Sequence, residues 1–331
     1  MSEPAGPHSA AILSIIRDAL EDEANVQHAD IHAKFEWYDA GDNKIIAVAA
    51  GGTDDEAREP FSFRILAYAD SNGTWLMPCN NWDGKPTKYD QPFYKNRARV
   101  SLIAGDDPVT SLHFAPQMDG LRTIFTRAPA APPGARATHP LITAQGSITT
   151  RHCFFTAPQP TDVTRTERAQ AQEALNIADG PEFRSINVPC KHAEGRTALH
   201  NTVGGGEHAY IPLAAWKMDF NNPVLREDTM RDGASVPAGS PATREEALAG
   251  DAMPTMTKLR PNEYDRHIRG SLVDVRFTLT RQFIPTAKTF NFMADIEDLY
   301  VLHSRPPPAA LKRGRGASKF LASSAKRLRF E

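Results

Sequence analysis

Gly270-Ser-Leu-Val-Asp-Val-Arg-Phe-Thr-Leu279 and Phe290-Asn-Phe-Met-Ala-Asp-Ile-Glu-Asp-Leu-Tyr-Val-Leu302 are the two most strand-like stretches of this 331-residue chain. In the first, Leu272, Val273, Val275, Phe277 and Leu279 follow the two-residue period of a strand with one buried face. The second carries Phe290, Phe292, Met293, Ile296, Leu299 and Val301. They predict two long strands, after which Pro306–Pro308 end the ordered part of the chain.

Upstream, residues 221–263 are rich in Asp, Pro, Gly and Ser and predict a long loop, with a short helix at Arg244–Leu248. Ala209–Leu213 reads as a strand after the glycine-rich turn 204–206, and Thr166–Ala178 has helix-forming composition. The run Ala128–Pro140, Ala/Pro-rich throughout, has linker composition. Before it, His8–Glu23 places Ile12, Ile15, Ile16 and Leu20 on one helical face, with Ser9 as its cap. That stripe predicts a docked helix, since so short a helix needs a partner surface. His32–Tyr38 and Ile45–Ala50 flank Gly41-Asp42-Asn43 and predict a hairpin. Strands are also expected at Phe61–Tyr68, Thr74–Met77, Arg99–Ala104 and, more weakly patterned, Ser111–Phe114.

The two opening segments resemble the last strands of the OB-fold of single-strand-binding proteins. In that family a Gly-Xaa-Leu-Val-Xaa-Val strand precedes one reading roughly Ala-Asp-Xaa-Ile-Xaa-Xaa-Leu. The matching residues here are Gly270, Leu272, Val273 and Val275, then Ala294, Asp295, Ile296 and Leu299. The match covers about a tenth of the chain and rests on hydrophobic spacing. The resemblance implies a β-barrel able to bind single strands.

Composition sets the wider frame. Hydrophobic residues make up 40% and charged residues 24%, a globular balance. No apolar run reaches the roughly 18–20 residues of a membrane span, and the N-terminus lacks a signal-peptide pattern. Three cysteines, Cys79, Cys153 and Cys190, make no disulfide framework and suit a reducing compartment. The net charge of −2 hides a polarity: residues 1–60 hold four basic against thirteen acidic side chains, and residues 305–331 eight basic against one. Lys312-Arg313, a twelve-residue spacer and Lys326-Arg327-Leu328-Arg329 have the form of a bipartite nuclear localisation sequence, which implies an import receptor as partner.

The body is most aromatic and basic between Trp75 and Arg99. Single-strand binding needs aromatic faces for bases and cations for phosphates. The candidate site is therefore Trp82, Tyr89, Phe93 and Tyr94 for stacking, with Lys85, Lys88, Lys95, Arg97 and Arg99 for phosphates. The alternative for this segment is aromatics in the core and lysines on a solvated loop. His152, Cys153, Cys190, His192, His200 and His208 are the right ligand types for zinc but lack zinc-finger spacing, and no metal or cofactor is expected. A Cys190/His192 nucleophile pair is likewise set aside. No catalytic motif occurs, so the chain is not expected to be an enzyme.

The expected fold is α+β and β-rich. An N-terminal domain with a leading helix spans 1–128, a linker 129–140, an OB-like barrel 141–304 with its loop near 221–263, and a disordered basic tail 305–331. The expected function is nuclear, non-catalytic binding of nucleic acid, single-stranded by preference, with no membrane association. Its rival is a nuclear protein–protein adaptor whose tail serves only for import.

Overall fold

A computed structural model describes residues 10–52, 58–79, 92–106, 108–137, 141–156, 170, 180–204, 208–225 and 252–304. The protein is α+β, dominated by a mixed sheet. The basic tail, Trp82, Lys85, Lys88, Tyr89, the helix expected at Thr166–Ala178 (Gln170 apart) and that at Arg244–Leu248 lie outside the described residues.

The two opening stretches form the centre. Strands β9 (Leu272–Ile284) and β10 (Thr289–His303) pair antiparallel along their whole length, with register shifts at Ile296/Asp298 and Val301/His303. Leu272 to Val275 are all buried, because β9 is covered on both faces. One face joins the main core of Phe63, Ile65, Val100, Ile148, Val275 and Phe277. The other meets helix α1 (Ala10–Glu21), whose Ile12 and Ile16 pack on Leu66, Leu272 and Leu302. The expected docked helix is thus in place.

A buried polar device holds the end of α1. Asn25 donates from Nδ2 to the Ala19 carbonyl (2.8 Å), satisfying a helix-end acceptor. Arg64 bonds both oxygens of the buried Asp274 and reaches Asp22 at 2.6 Å. That guanidinium ties the end of α1 to strand β3 (Phe63–Ala69) and to β9, and burial of both charges is tolerable because each is paired.

The first hairpin is as expected: β1 (Phe35–Asp39) and β2 (Lys44–Ala49) pair antiparallel. Gly41, Asp42 and Asn43 all have positive φ, the conformation these residue types tolerate. The remaining strands are β4 (Arg97–Ile103), β5 (Arg136–Ala137), β6 (Ile148–Cys153), β7 (Ala215–Leu225) and β8 (Ala252–Lys258). β9 pairs antiparallel with β3, β3 with β4 and β4 with β6. β6 then meets β10 in parallel, and β10 returns to β9. β2 and β1 extend the sheet from β9, and β7 and β8 extend it from β10.

Several expectations are corrected. Ser111–Phe114 is helical, part of α2 (Pro108–Thr126), which buries Phe114, Met118, Leu121 and Ile124 at helical spacing. Pro116 and Gly120 inside that run mask the helical pattern. Thr74–Met77 is not a strand: Leu76 and Met77 line the core, and Trp75 makes an isolated bridge to Arg99. Ala209–Leu213 is likewise irregular, with only Tyr210 bridged to Phe155. The expected 221–263 loop is shorter, since β7 runs to Leu225 and β8 returns from Ala252. Residues 129–137 do not separate two sheets. Arg281 donates to the Pro129 carbonyl, β5 pairs with β10, and strands from both sides of this run share one sheet.

Cys79 and Cys190 are joined by a disulfide with Cα atoms 5.6 Å apart, contrary to the expectation of no disulfide. The pairing was illegible because 111 residues separate them. Residues 189–192 are not a strand either; they lead into helix α3 (Ala193–Gly204).

Candidate nucleic-acid interface

β6 alternates throughout and β4 does so except at Ser101, which is buried as well. Ala98, Val100 and Leu102 of β4, with Ile148, Thr150 and His152 of β6, are buried on the inner face. The pleat therefore sends Arg97 and Arg99, and Thr149, Arg151 and Cys153, to the other face. Register brings two of these positions level with Trp75 and Asp295. Trp75 exchanges both backbone hydrogen bonds with Arg99 (2.7 Å each), Arg99 lies opposite Arg151, and Arg151 opposite Asp295 of β10. Directly opposite residues in a ladder project from the same face. The result is a row across the sheet, Trp75, Arg99, Arg151, Asp295.

The charges in this row are unequal. Arg151 is held by Asp295 through two bonds, Nε at 2.6 Å and Nη2 at 3.1 Å. Arg99 has no carboxylate partner among the described residues. Its Nη2 donates weakly to Thr149 Oγ1 at 3.4 Å, and its guanidinium lies 5.9 Å from the centre of the Trp75 ring. Its Nε is shut off from solvent without a hydrogen-bond partner among the described residues. Trp75 itself is 46% exposed, so its outer face is open. Two arginines placed directly opposite repel one another, an arrangement that folding alone does not favour.

Beside the row lies a cavity of about 470 Å³, bounded by Arg99, Thr149, Arg151, Leu141 and residues 291–294 of β10. Comparison with protein-family models, curated proteins and solved structures finds no match for this chain.

The expected site residues separate. Arg97 and Lys95 are exposed, and Arg99 is half-buried on the same strand face as Arg97. Tyr94 is half-buried, with one face stacked on His208 at 4.0 Å. Phe93 is corrected: it is buried in the core against Phe155 and offers no face to a base. Arg151, Asp295 and the cavity were missed. Their signal was the run Ser147-Ile-Thr-Thr-Arg-His-Cys153 after Gly146, a β-branched strand pattern.

The remaining candidates do not assemble. No group of three or more His, Cys, Asp and Glu side chains converges among the described residues. Burial pushes the His152 imidazole below its ordinary value, and its Nε2 meets the Ile211 carbonyl at 3.0 Å. Burial also raises the Cys153 thiol, which keeps it protonated and a poor nucleophile.

Proposed function

We propose that this protein binds single-stranded nucleic acid across the outer face of β4 and β6, without catalysis, and acts in the nucleus. In this reading Arg97, Arg99, Arg151 and Lys95 contact phosphates and Trp75 stacks a base. The carrying observation is Arg99, a guanidinium without a carboxylate partner among the described residues, set between an open Trp75 face and a second arginine.

We take the ring of pairings β3–β4–β6–β10–β9–β3 as an OB-like barrel, the finer form of the β-rich sheet. OB-folds are five-stranded, partly open barrels that bind oligonucleotides on the face of their second and third strands and on the loops joining strands 1–2 and 4–5. Counted around this chain, the second and third strands are β4 and β6. The segment joining the first two strands, 70–96, contains Trp75, Tyr94 and Lys95, so ring order and charge favour the same surface. Fold alone would not carry the function.

The test is fluorescence anisotropy with labelled single- and double-stranded oligonucleotides across a salt series. Single strands bind more tightly than duplex, and log K falls with log salt by about 0.7 per phosphate contacted. Arg99→Ala lowers single-strand affinity and shrinks that slope by about 0.7. A chain ending at Ser304 keeps single-strand binding and loses nuclear accumulation in cells. Absence of binding by the full chain would leave the nuclear adaptor reading, favoured by the thirteen acidic side chains of residues 1–60, which repel phosphate.

A further inference from the structure

Segment 180–204 stands beside the sheet and not in it. Its described residues form two short turns, Pro181–Phe183 and Ser185–Asn187, and helix α3, and none belongs to a strand. Val188 and Leu199 reach the main core. Elements without a strand ladder open locally at a lower free energy than the sheet they pack on. The Cys79–Cys190 disulfide adds a covalent tie between this segment and the sheet side of the molecule.

That tie reaches both described parts of 70–96. Cys79 lies four residues after Trp75, and the Pro78 carbonyl accepts from Asn96 Nδ2 at 3.0 Å. From Cys190 the chain enters α3, which packs against the turn Phe93–Lys95. Trp75 on one side, and Tyr94 and Lys95 on the other, are thus braced through one bond.

The two sulfurs are unequal. Cys79 is fully buried, while Cys190 is half-buried between exposed Pro189 and exposed Lys191. An attacking thiolate therefore reaches Cys190, and the cation beside it favours an anionic sulfur there. Cys79 is also accommodated as a free thiol. Its Sγ lies 3.5 Å from the Pro189 carbonyl oxygen, an acceptor for an S–H, and a small buried thiol packs as an apolar group.

We propose that Cys79–Cys190 is a reversible redox latch: closed, it holds α3 and the Trp75 segment together, and open, it lets residues 189–204 detach. To open it, the thiolate of a small thiol such as glutathione attacks Cys190 Sγ. The S–S bond breaks, and its electron pair leaves with Cys79, which takes a proton. A second thiolate attacks the glutathione sulfur of the mixed disulfide, releasing Cys190 to take a proton and forming glutathione disulfide. Two electrons and two protons have then passed to the cysteine pair. Glutathione disulfide reverses both steps, so a reducing compartment keeps the latch open and an oxidising shift closes it. The latch works whether or not single strands bind the surface it braces.

The experiment equilibrates full-length protein across a series of glutathione redox buffers. Alkylation and intact mass count the free thiols, and peptide mass spectrometry follows hydrogen exchange. The wild type passes reversibly between one free cysteine, Cys153, and all three. Opening speeds exchange at 189–204 and 74–79 by about tenfold beyond any change in β9 and β10. Cys190→Ser exchanges at the open rate in every buffer, and Cys153→Ser behaves as the wild type. If Cys190→Ser folds poorly, the two wild-type forms carry the comparison alone. A bond that never forms, or never opens, across the series overturns the latch. So does a rise at 189–204 no larger than that in β9 and β10, because the bond would then brace the whole fold and nothing local.

Discussion

His152 lies on the inner face of β6, with the Ile211 carbonyl as acceptor for its Nε2–H. Burial lowers its pKa and outweighs the carbonyls of Ile211 and Ile296, which would raise it. In the unfolded chain it titrates near its ordinary value of 6.5. The unfolded state then binds the extra proton first, so this residue's stability is complete above that value and lost as pH falls below it. Thermal melts should show a falling midpoint as pH drops from 7 toward 5, and His152→Gln should flatten that part of the profile. An unchanged profile would mean that His152 is not the group responsible. Asp22 acts at lower pH. Burial pushes its carboxyl up, but the Ala24 N–H and Arg64 outweigh it and hold it below 3.8. Its contribution is present above that value and is lost as the carboxylate protonates.

At the scale of elements, α2 meets the chain before β1 at one point. Gly120 lies so close to residue 26 that a Cβ there would stand 1.8 Å from the Val26 carbonyl oxygen. Helix propensity alone favours Ala over Gly by about 1 kcal/mol. The clash is with backbone, which cannot rotate away, and overpacking of this kind costs about 1–3 kcal/mol. Gly120→Ala should therefore destabilise the protein in urea titrations; a gain in stability would show that α2 can slide. On the same face Gln117 bridges the Leu66 N–H and carbonyl at 2.8 and 2.9 Å, tying α2 to β3. These contacts explain why α2 was not legible. Its buried face matches β3 and residue 26, partners far away in the chain, while Pro116 and Gly120 speak locally against a helix. The first hairpin and α1 were legible because turn residues and apolar spacing act within a few positions.

At the scale of the molecule, Cys79–Cys190 is the longest covalent constraint, closing 111 residues. In the chain-entropy account a loop of that size is worth about 4–5 kcal/mol, through the unfolded state. Urea melts with and without a reductant should differ by up to that amount, and coincident curves would mean that the bond does not form in solution. The bond also bears on the nuclear proposal, because nuclear thiols are kept reduced. Cys79 and Cys190 trapped as free thiols in cells would favour that compartment.

By itself the sequence determined the paired strands at 272–303, the 35–49 hairpin and the docked face of α1. Each depends on a period of two or 3.6 residues, or on a turn, written into adjacent positions. It also marked Lys95, Arg97 and Arg99 as a basic segment. Tertiary structure alone decided that Trp75, Arg99, Arg151 and Asp295 form one row, that Phe93 is core, and that a cavity lies beside the arginines. Those outcomes depend on strand register between segments far apart in sequence. Register is set by which faces the whole sheet can bury together, and no local stretch contains that information.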